Sequence, residues 1–588
     1  MYNKIKSIIS TGLMLLSCCM MSSCLDLEPQ ANMGDNLVWT NADNFQLFAN
    51  QFYGWTRDFQ LSTSYTYANG ISDGPHSDYR SDLVAQSNMN EFSQGTNTIP
   101  AKDDNYTTLY TRIYYTNLLL DRAAGYSNPA EIAVPVCEAK FFRAYLHFEL
   151  VQIYGNTILA THPFDLDSPE MNQARTDRSL VIDQIIQDLQ EAAEGGLPET
   201  PAADGLLSKY AAYAMLSRVA LYEGTWQKFH NDGADATGNS ERVKHLLTIA
   251  KDAAEKVMAS PHELFYNAKL GTDSYRYMFI LEDETCNGAG LTKANNKEYI
   301  LSHRHRPGDK NQLNLTHAMF NNTAYLTRKL ANMYLCSNGL PIDNANSATL
   351  FKGYVNATDE FQNRDNRMTS TFMQYGKYYW DNENSRTTWD DKDLATAMVA
   401  DVSRMCKGSG YQNYKWAVER KVDDYYEDVD YPVIRYAEVL LNYAEAVYEL
   451  GTTGGELDAA LDRSLNLVRH RSNPDMPALT SNFVQQNGLD MREEIRRERT
   501  VELILEGFRI DDLKRWNTAS VEMPMPQLGV KYTGTWFENN WTKITNTLDQ
   551  DGCMIIYSGR TWQDKNYLYP LPSDQLQLNS NLGQNPGW

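Results

Sequence analysis

Beyond residue 104, apolar side chains recur every three or four positions over long stretches, the mark of amphipathic helices. The spacing predicts helices over 105–125 and 135–154. In the second, Phe141, Ala144, Tyr145, Phe148 and Val151 share a face and Gly155-Asn156 ends it. Stretches 177–195 and 206–224 read as a hairpin around Gly195, Gly196 and Pro198, and 241–259 as a further helix stopped by Pro261. An earlier helix, starting near Asn41 or Asp43, carries Phe45, Phe48, Phe52 and Trp55; another lies near 318–333. Helical order resumes at 432–450, where Ile434, Ala437, Leu441, Ala444 and Tyr448 align, and at 456–471 beyond the turn Gly451–Gly455. Two segments lack this periodicity, 57–104 and most of 262–430. Both are rich in Asn, Asp, Gly, Ser and Tyr and read as long ordered loops, with short strand-like runs such as Tyr299-Ile300-Leu301.

The stretch Ile495–Trp516 is the most distinctive. Val501, Ile504, Leu505 and Phe508 form an apolar stripe, Gly507 interrupts it, and a short second turn runs from Arg509 to Trp516 before Asn517. Glu493 and Arg497 stand four apart, acid first, which supports an exposed helical face. Arg496, Arg497, Glu498, Arg499, Glu502 and Glu506 are too many charges for a plain surface stripe. They are expected to pair with one another and to tie down incoming loops; a catalytic role for Glu502 and Glu506 is the lesser reading.

Four strings point to a family. They are Ala139–Tyr145 closed by Tyr154-Gly155; Ile434–Leu441 with Tyr443–Ala446; Arg496–Arg499 followed by Val501-Glu502-Leu503, Glu506-Gly507, Phe508-Arg509 and Asp512–Trp516; and the terminal Tyr569–Pro572 through Asn579 to Gln584–Trp588. In this order they resemble the motifs of the SusD/RagB family, surface glycan-binding lipoproteins of Bacteroidetes, over nearly the whole chain except its variable middle. A weaker match, Phe361–Met368, resembles a family segment that follows the variable loops. The alternation of small and large residues over Ala211–Ala220 also resembles a tetratricopeptide helix, although no strict 34-residue period is visible. The resemblance implies a mainly α fold: a tetratricopeptide-like helical-hairpin scaffold carrying large irregular loop insertions. It further implies an outer-membrane protein that captures an oligosaccharide or polysaccharide and delivers it to a SusC-like TonB-dependent transporter, with no catalysis and no cofactor. A peptide-importing RagB-like role and a surface glycoside hydrolase are the rival readings.

Charge and targeting signals agree with this. The formal net charge is -22, and removal of 1–23 with Lys4 and Lys6 leaves -24, which argues against nucleic acid as a partner. Lys4 and Lys6, the apolar run Ile8–Leu16 and then Met21-Ser22-Ser23-Cys24 read as a signal peptide over 1–23 with Cys24 acylated; Leu15-Leu16-Ser17-Cys18 is the alternative. Leu25–Pro29 resembles the acidic start of mature SusD-like chains, implying a surface-exposed, lipid-anchored protein. The rest divides into an N-terminal helical part, 24–290, and a C-terminal part, 291–588, forming one compact unit. Cys137, Cys286, Cys336, Cys406 and Cys553 are scattered and read as buried apolar residues rather than a metal or disulfide framework.

No nucleophile elbow, phosphate loop or His-Glu-x-x-His motif occurs. His303-Arg304-His305 places two imidazoles on one side of a strand without a third ligand nearby in sequence, so no metal site is assigned. Asp423, Asp424, Glu427, Asp428 and Asp430 lack a calcium-loop pattern and read as a solvated face, with calcium left open. The informative excess is aromatic: 37 Tyr and 11 Trp, many in loops, where rings stack on sugar faces and polar neighbours meet the hydroxyls. Two loop clusters have this mixture and are the candidate glycan sites: Asp73, His76, Asp78, Tyr79 and Arg80, and Arg364, Arg367, Tyr378, Trp380 and Trp389.

Overall fold

Asn41 opens the first helix, α1 (Ala42–Asn50), by accepting from the Asn44 amide, which satisfies one of the otherwise bare N-terminal donors. The computed structural model describes residues 39–59, 74–165, 167–230, 240–306, 313, 315–316, 324–374, 408–418, 426–541 and 544–588. After α1 come α2 (Asp104–Ala124), α3 (Ala133–Tyr154), α4 (Arg178–Glu194), α5 (Lys209–His230) and α6 (Glu241–Met258). Each of α2 to α6 packs on its successor, and α6 packs in turn on α7 (Tyr436–Glu449), far along the chain. Beyond α8 (Gly454–Asp462) and α9 (Leu465–Ser472), α10 (Met491–Leu503) packs on α7, and α11 (Arg509–Arg515) returns to α5. The fold is therefore mainly α, a stack of helical hairpins as the spacing predicts. Helix α3 is buried on almost every side, wedged between α2 and α4, with Glu138, Arg143, His147 and Glu149 among its buried residues. It ends at Gly155, whose φ of +74° favours glycine and where a Cβ would come within 2.7 Å of the Leu568 side chain and push it aside.

Three antiparallel strand pairs trim the stack: β1 (Val84–Ala85) with β3 (Tyr325–Leu326), β2 (Tyr299–His303) with β4 (Tyr431–Arg435), and β5 (Gln527–Lys531) with β6 (Cys553–Tyr557). The pairing β2–β4 corrects the helix expected from 432: Pro432, Val433 and Ile434 are extended, and the helix starts at Tyr436. A proline and two β-branched residues favour that outcome. The helix expected near 318–333 is present only as Arg328–Met333, capped by Thr327, while 317–323 lie outside the described residues. The turn before α9 falls at Ser464, splitting the helix expected over 456–471.

The distinctive stretch is also broken earlier than its stripe suggests. Helix α10 stops at Leu503; Leu505 and Gly507 adopt φ of +64° and +76°, so Ile504, Leu505 and Phe508 lie beyond the helix that carries Val501. On its exposed side the pairs are Arg496–Glu493 and Arg497–Glu494, three apart rather than the four expected of Glu493 and Arg497. The inner side carries the expected tie-down. Glu502 receives Arg367, Arg435 and Arg471; Glu506 receives Arg435 and Lys415, both at 2.7 Å; Glu298 receives Arg435 and Arg471, both at 2.8 Å. All of these side chains are at most 2 % exposed, so Glu502 and Glu506 are structural. The acidic run is corrected likewise. Glu427, Asp428 and Asp430 are buried, Glu427 accepting from the Leu315 and Thr316 amides and Asp430 pairing with Lys293 and Arg304; Asp423 and Asp424 lie outside the described residues. Cys137, Cys286, Cys336 and Cys553 are free and buried, as expected; Cys406 lies outside the described residues.

Arg435 is the pivot of this network. Arg435→Met would strand three buried carboxylates with fewer cations, a change of the kind that costs about 3–5 kcal/mol. The expected outcome is a lower chemical-denaturation midpoint than that of an exposed control such as Arg463→Met; equal midpoints would contradict the assignment.

Candidate functional site

A pocket of about 460 Å³ opens between the end of the first helical segment, α2 and α3. It is lined by Trp55, Arg57, Asp58 and Phe59; by Gly74, Pro75 and His76; and by Asp104, Asn105, Thr108, Leu109 and Arg112 of α2 above Tyr145, Glu149 and Ile153 of α3. Helical geometry produces the rim. Asp104, Thr108, Arg112 and Tyr115 follow at spacings of four, four and three and so share one face, while Ile113 and Thr116 turn into the body. Trp55 ends a 3-10 turn, Gln51–Trp55, that continues α1, and its ring lies 6.5 Å from that of Tyr115 at 35°. The Arg112 guanidinium stands 5.7 Å from the Trp55 ring centroid. The result is a half-exposed pair of rings beside carboxylate, amide, hydroxyl and guanidinium groups.

The floor is charged, and its charges are paired. Arg57 donates to Glu149 at 2.8 Å, to Gln152 at 2.9 Å and to the Gly507 carbonyl at 3.3 Å. His76 sits between Asp511, 2.7 Å from Nδ1, and Glu149, 2.8 Å from Nε2. Burial works to raise the Glu149 carboxyl, but Arg57 and His76 outweigh it and hold it at about 2. Burial and Arg57 work to lower His76, yet Asp511 and Glu149 together raise it above its ordinary value. The floor is thus a fixed ion cluster, without a protonated carboxylic acid at Glu149.

The expected site residues fall mostly inside the frame. Of the first cluster, His76 reaches the pocket floor. Asp78 is buried and accepts the Gly507 and Arg509 amides, holding the turn after α10. Tyr79 is core, and Arg80 stacks 3.6 Å over Phe92 and donates to the Tyr569 hydroxyl. Of the second, Arg364 is spent on the carbonyls of Ala331, Tyr334 and Glu360. Arg367 has no exposed surface and pairs with Asp365, Glu498 and Glu502, so it has no face to offer a glycan. Asp78, Tyr79, Arg80, Arg364 and Arg367 are corrected to framework roles, because arginine and aspartate in polar, irregular segments serve equally to pin those segments. Asp73, Tyr378, Trp380 and Trp389, like Cys24, lie outside the described residues. Sequence reasoning passed over Arg112, Tyr115 and Trp55 as a unit; the signal was the polar and aromatic spacing on the outer face of α2.

The SusD family model matches residues 286–588, more than half of the chain's 588 residues. The chain belongs to the SusD family. A second model, described as starch-binding associating with outer membrane, matches residues 25–221. SusD-like protein P25 of Formosa agariphila is 25% identical over 240 residues, 38% of this chain and 44% of its own length. SusD-like protein P38 of the same organism is 22% identical over 547 residues, 90% of this chain and 94% of its own. The crystal structure of a SusD-like carbohydrate binding protein from Bacteroides fragilis shares the fold, with a TM-score of 0.70 and 21% identity over 93% of this chain and 100% of that one. Among the described residues no helix is long and apolar enough to cross a membrane.

The raised His76 sets a pH test. An imidazole whose folded value lies above its unfolded one, about 6.5, contributes stability that is complete below that pH and is lost as pH rises through the folded value. The gap in melting temperature between the wild type and His76→Gln should therefore be widest below pH 6.5 and narrow toward pH 9. A gap that widens with pH would contradict the ion cluster.

Proposed function

We propose that this SusD-family protein binds glycans at the cell surface, capturing an oligosaccharide or polysaccharide fragment at the pocket lined by Trp55, with the exposed ring of Tyr115 beside it. The observation that carries the reading is the ring pair with its rim of Asp104, Asn105, Thr108 and Arg112. Sugar C–H faces pack on such rings, while the rim meets the hydroxyls; rigid aromatics lose little entropy on binding. The starch-binding description of the matching family model, and the carbohydrate binding of the relative that shares the fold, support the same ligand class.

The protein acts by capture and release, without turnover. A glycosidase needs one carboxyl kept protonated near neutral pH; Glu149, the carboxyl on the pocket floor, is held far below that by Arg57 and His76. Acylation of Cys24 tethers the chain to the outer membrane, and the helical stack docks a SusC-like TonB-dependent transporter to which the glycan is handed on.

Binding to a polysaccharide panel, by affinity gel or calorimetry, tests this. Trp55→Ala and Tyr115→Ala should each weaken retention about two- to tenfold, the effect of about 0.5–1.5 kcal/mol of ring stacking. Release of reducing sugar by the purified protein would overturn the absence of turnover. Retention of peptides with indifference to every glycan would shift the reading to a peptide-capturing role.

A further inference from the structure

Three side chains outside the ring platform converge from distant parts of the chain. Asp58 follows the 3-10 turn at the pocket; His303 ends β2; His305 lies two residues beyond. One ligand atom from each lies within 4.8 Å of the other two. His305 Nε2 and Asp58 Oδ2 are already 3.5 Å apart, and the two imidazole rings lie 5.3 Å apart at 35°. Metal–nitrogen and metal–oxygen bonds of about 2.0–2.2 Å at tetrahedral angles place ligand atoms about 3.3 Å from each other, so one edge needs no movement and the others close by rotation of side chains. We propose that Asp58, His303 and His305 bind one divalent transition-metal ion of the zinc class.

The surroundings are arranged for this. Thr56 stands 2.9 Å from His303 Nδ1 and donates its one hydroxyl proton to the Tyr53 carbonyl at 3.1 Å. Its oxygen can then only accept from His303, so the ring carries its proton on Nδ1 and presents the Nε2 lone pair. This is the orienting contact that metal-bound imidazoles usually have. The backbone of His305 is pinned at both polar atoms: its amide donates to Asp430 at 3.0 Å and its carbonyl accepts from Lys293 at 2.8 Å. Arg304, between the two histidines, faces the other way and pairs with Asp430 at 2.9 Å, which keeps its charge out of the site. Asp58 and His305 keep side-chain exposures of 29 % and 12 %, enough for an ion to enter.

Two imidazoles and one carboxylate suit zinc, nickel or copper better than magnesium or calcium, which prefer oxygen alone. Three protein ligands leave one coordination position for water. Asp58 also lines the pocket, so that position falls at the pocket's edge. The ion would clip the segment after α1 to β2, a link already marked by the Thr56–His303 contact, 247 positions apart in sequence. The proposal does not depend on the glycan reading.

The test uses untagged protein, stripped with a chelator and dialysed, titrated with Zn²⁺ by calorimetry and followed by thermal unfolding with Zn²⁺ or Mg²⁺. The expected result is one Zn²⁺ per chain and a melting temperature raised by Zn²⁺ but not by Mg²⁺. Asp58→Asn and His305→Gln, each checked for folding by circular dichroism, should abolish both effects, whereas Thr56→Val should weaken affinity about ten- to a hundredfold by freeing the His303 ring. Loading with Co²⁺ gives an independent readout, a visible absorption band that His303→Gln removes. Absence of saturable Zn²⁺ uptake, or uptake unchanged in Asp58→Asn and His305→Gln, overturns the proposal.

Discussion

Glu298, Glu502 and Glu506 lie in the middle of the protein, where water does not reach, and everything around them is arranged to make that tolerable. Arg435 touches all three; Arg471, Arg367 and Lys415 complete the set. Burial alone would push Glu502 upward, yet Arg471, Arg435 and Arg367 hold it far below the ordinary carboxylate range. Removing any one partner leaves a desolvated charge, so the cluster is a constraint as much as a stabiliser. Its members come from α10, from the turn after it, from β4, from α9 and, as Glu298, Arg367 and Lys415, from three places within the irregular stretch 262–430. They meet only when all those elements are in place.

The same logic spreads outward from α11. Arg509 pairs with Asp82 in two bonds of 2.9 Å, Asp78 receives the amides of Gly507 and Arg509, and Asp511 receives His76. Through these contacts the C-terminal helices fix residues 74–85, and through Arg57 and Glu149 they fix the floor of the pocket. Arg499, Arg515 and Glu445 do the same between α10, α11 and α7 around Asp512. The pocket is therefore a shallow opening over a rigid ionic foundation. Its exposed rim is small: the Trp55 ring and the outer face of α2. Such a division suits a capture protein, whose frame must hold its shape while exposed residues are free to match one ligand or another.

Loops dense in Asp, Arg and Tyr were legible as important but not as to their role. An arginine in a polar, irregular stretch reads the same whether it meets a ligand, as expected of Arg364 and Arg367, or a carbonyl cage and a buried carboxylate, as found. The acidic run near 430 reads as solvated until Lys293 and Arg304 are seen against it. Likewise two histidines two residues apart gain a third ligand only when Asp58 arrives from the far end of the chain.

By itself the sequence determined the helices, most of their ends and the family, because these follow from nearest neighbours along the chain: a 3.6-residue period, a capping Asn41, a stop at Gly155, and motifs that recur as contiguous strings. It also determined that the charges of α10 would be paired rather than free. Only the tertiary structure decided which charges are buried and with whom, where Trp55 meets Tyr115, and that residues 431–435 are a strand. Those outcomes depend on desolvation and on contacts between residues hundreds of positions apart, and neither is a property of any local stretch.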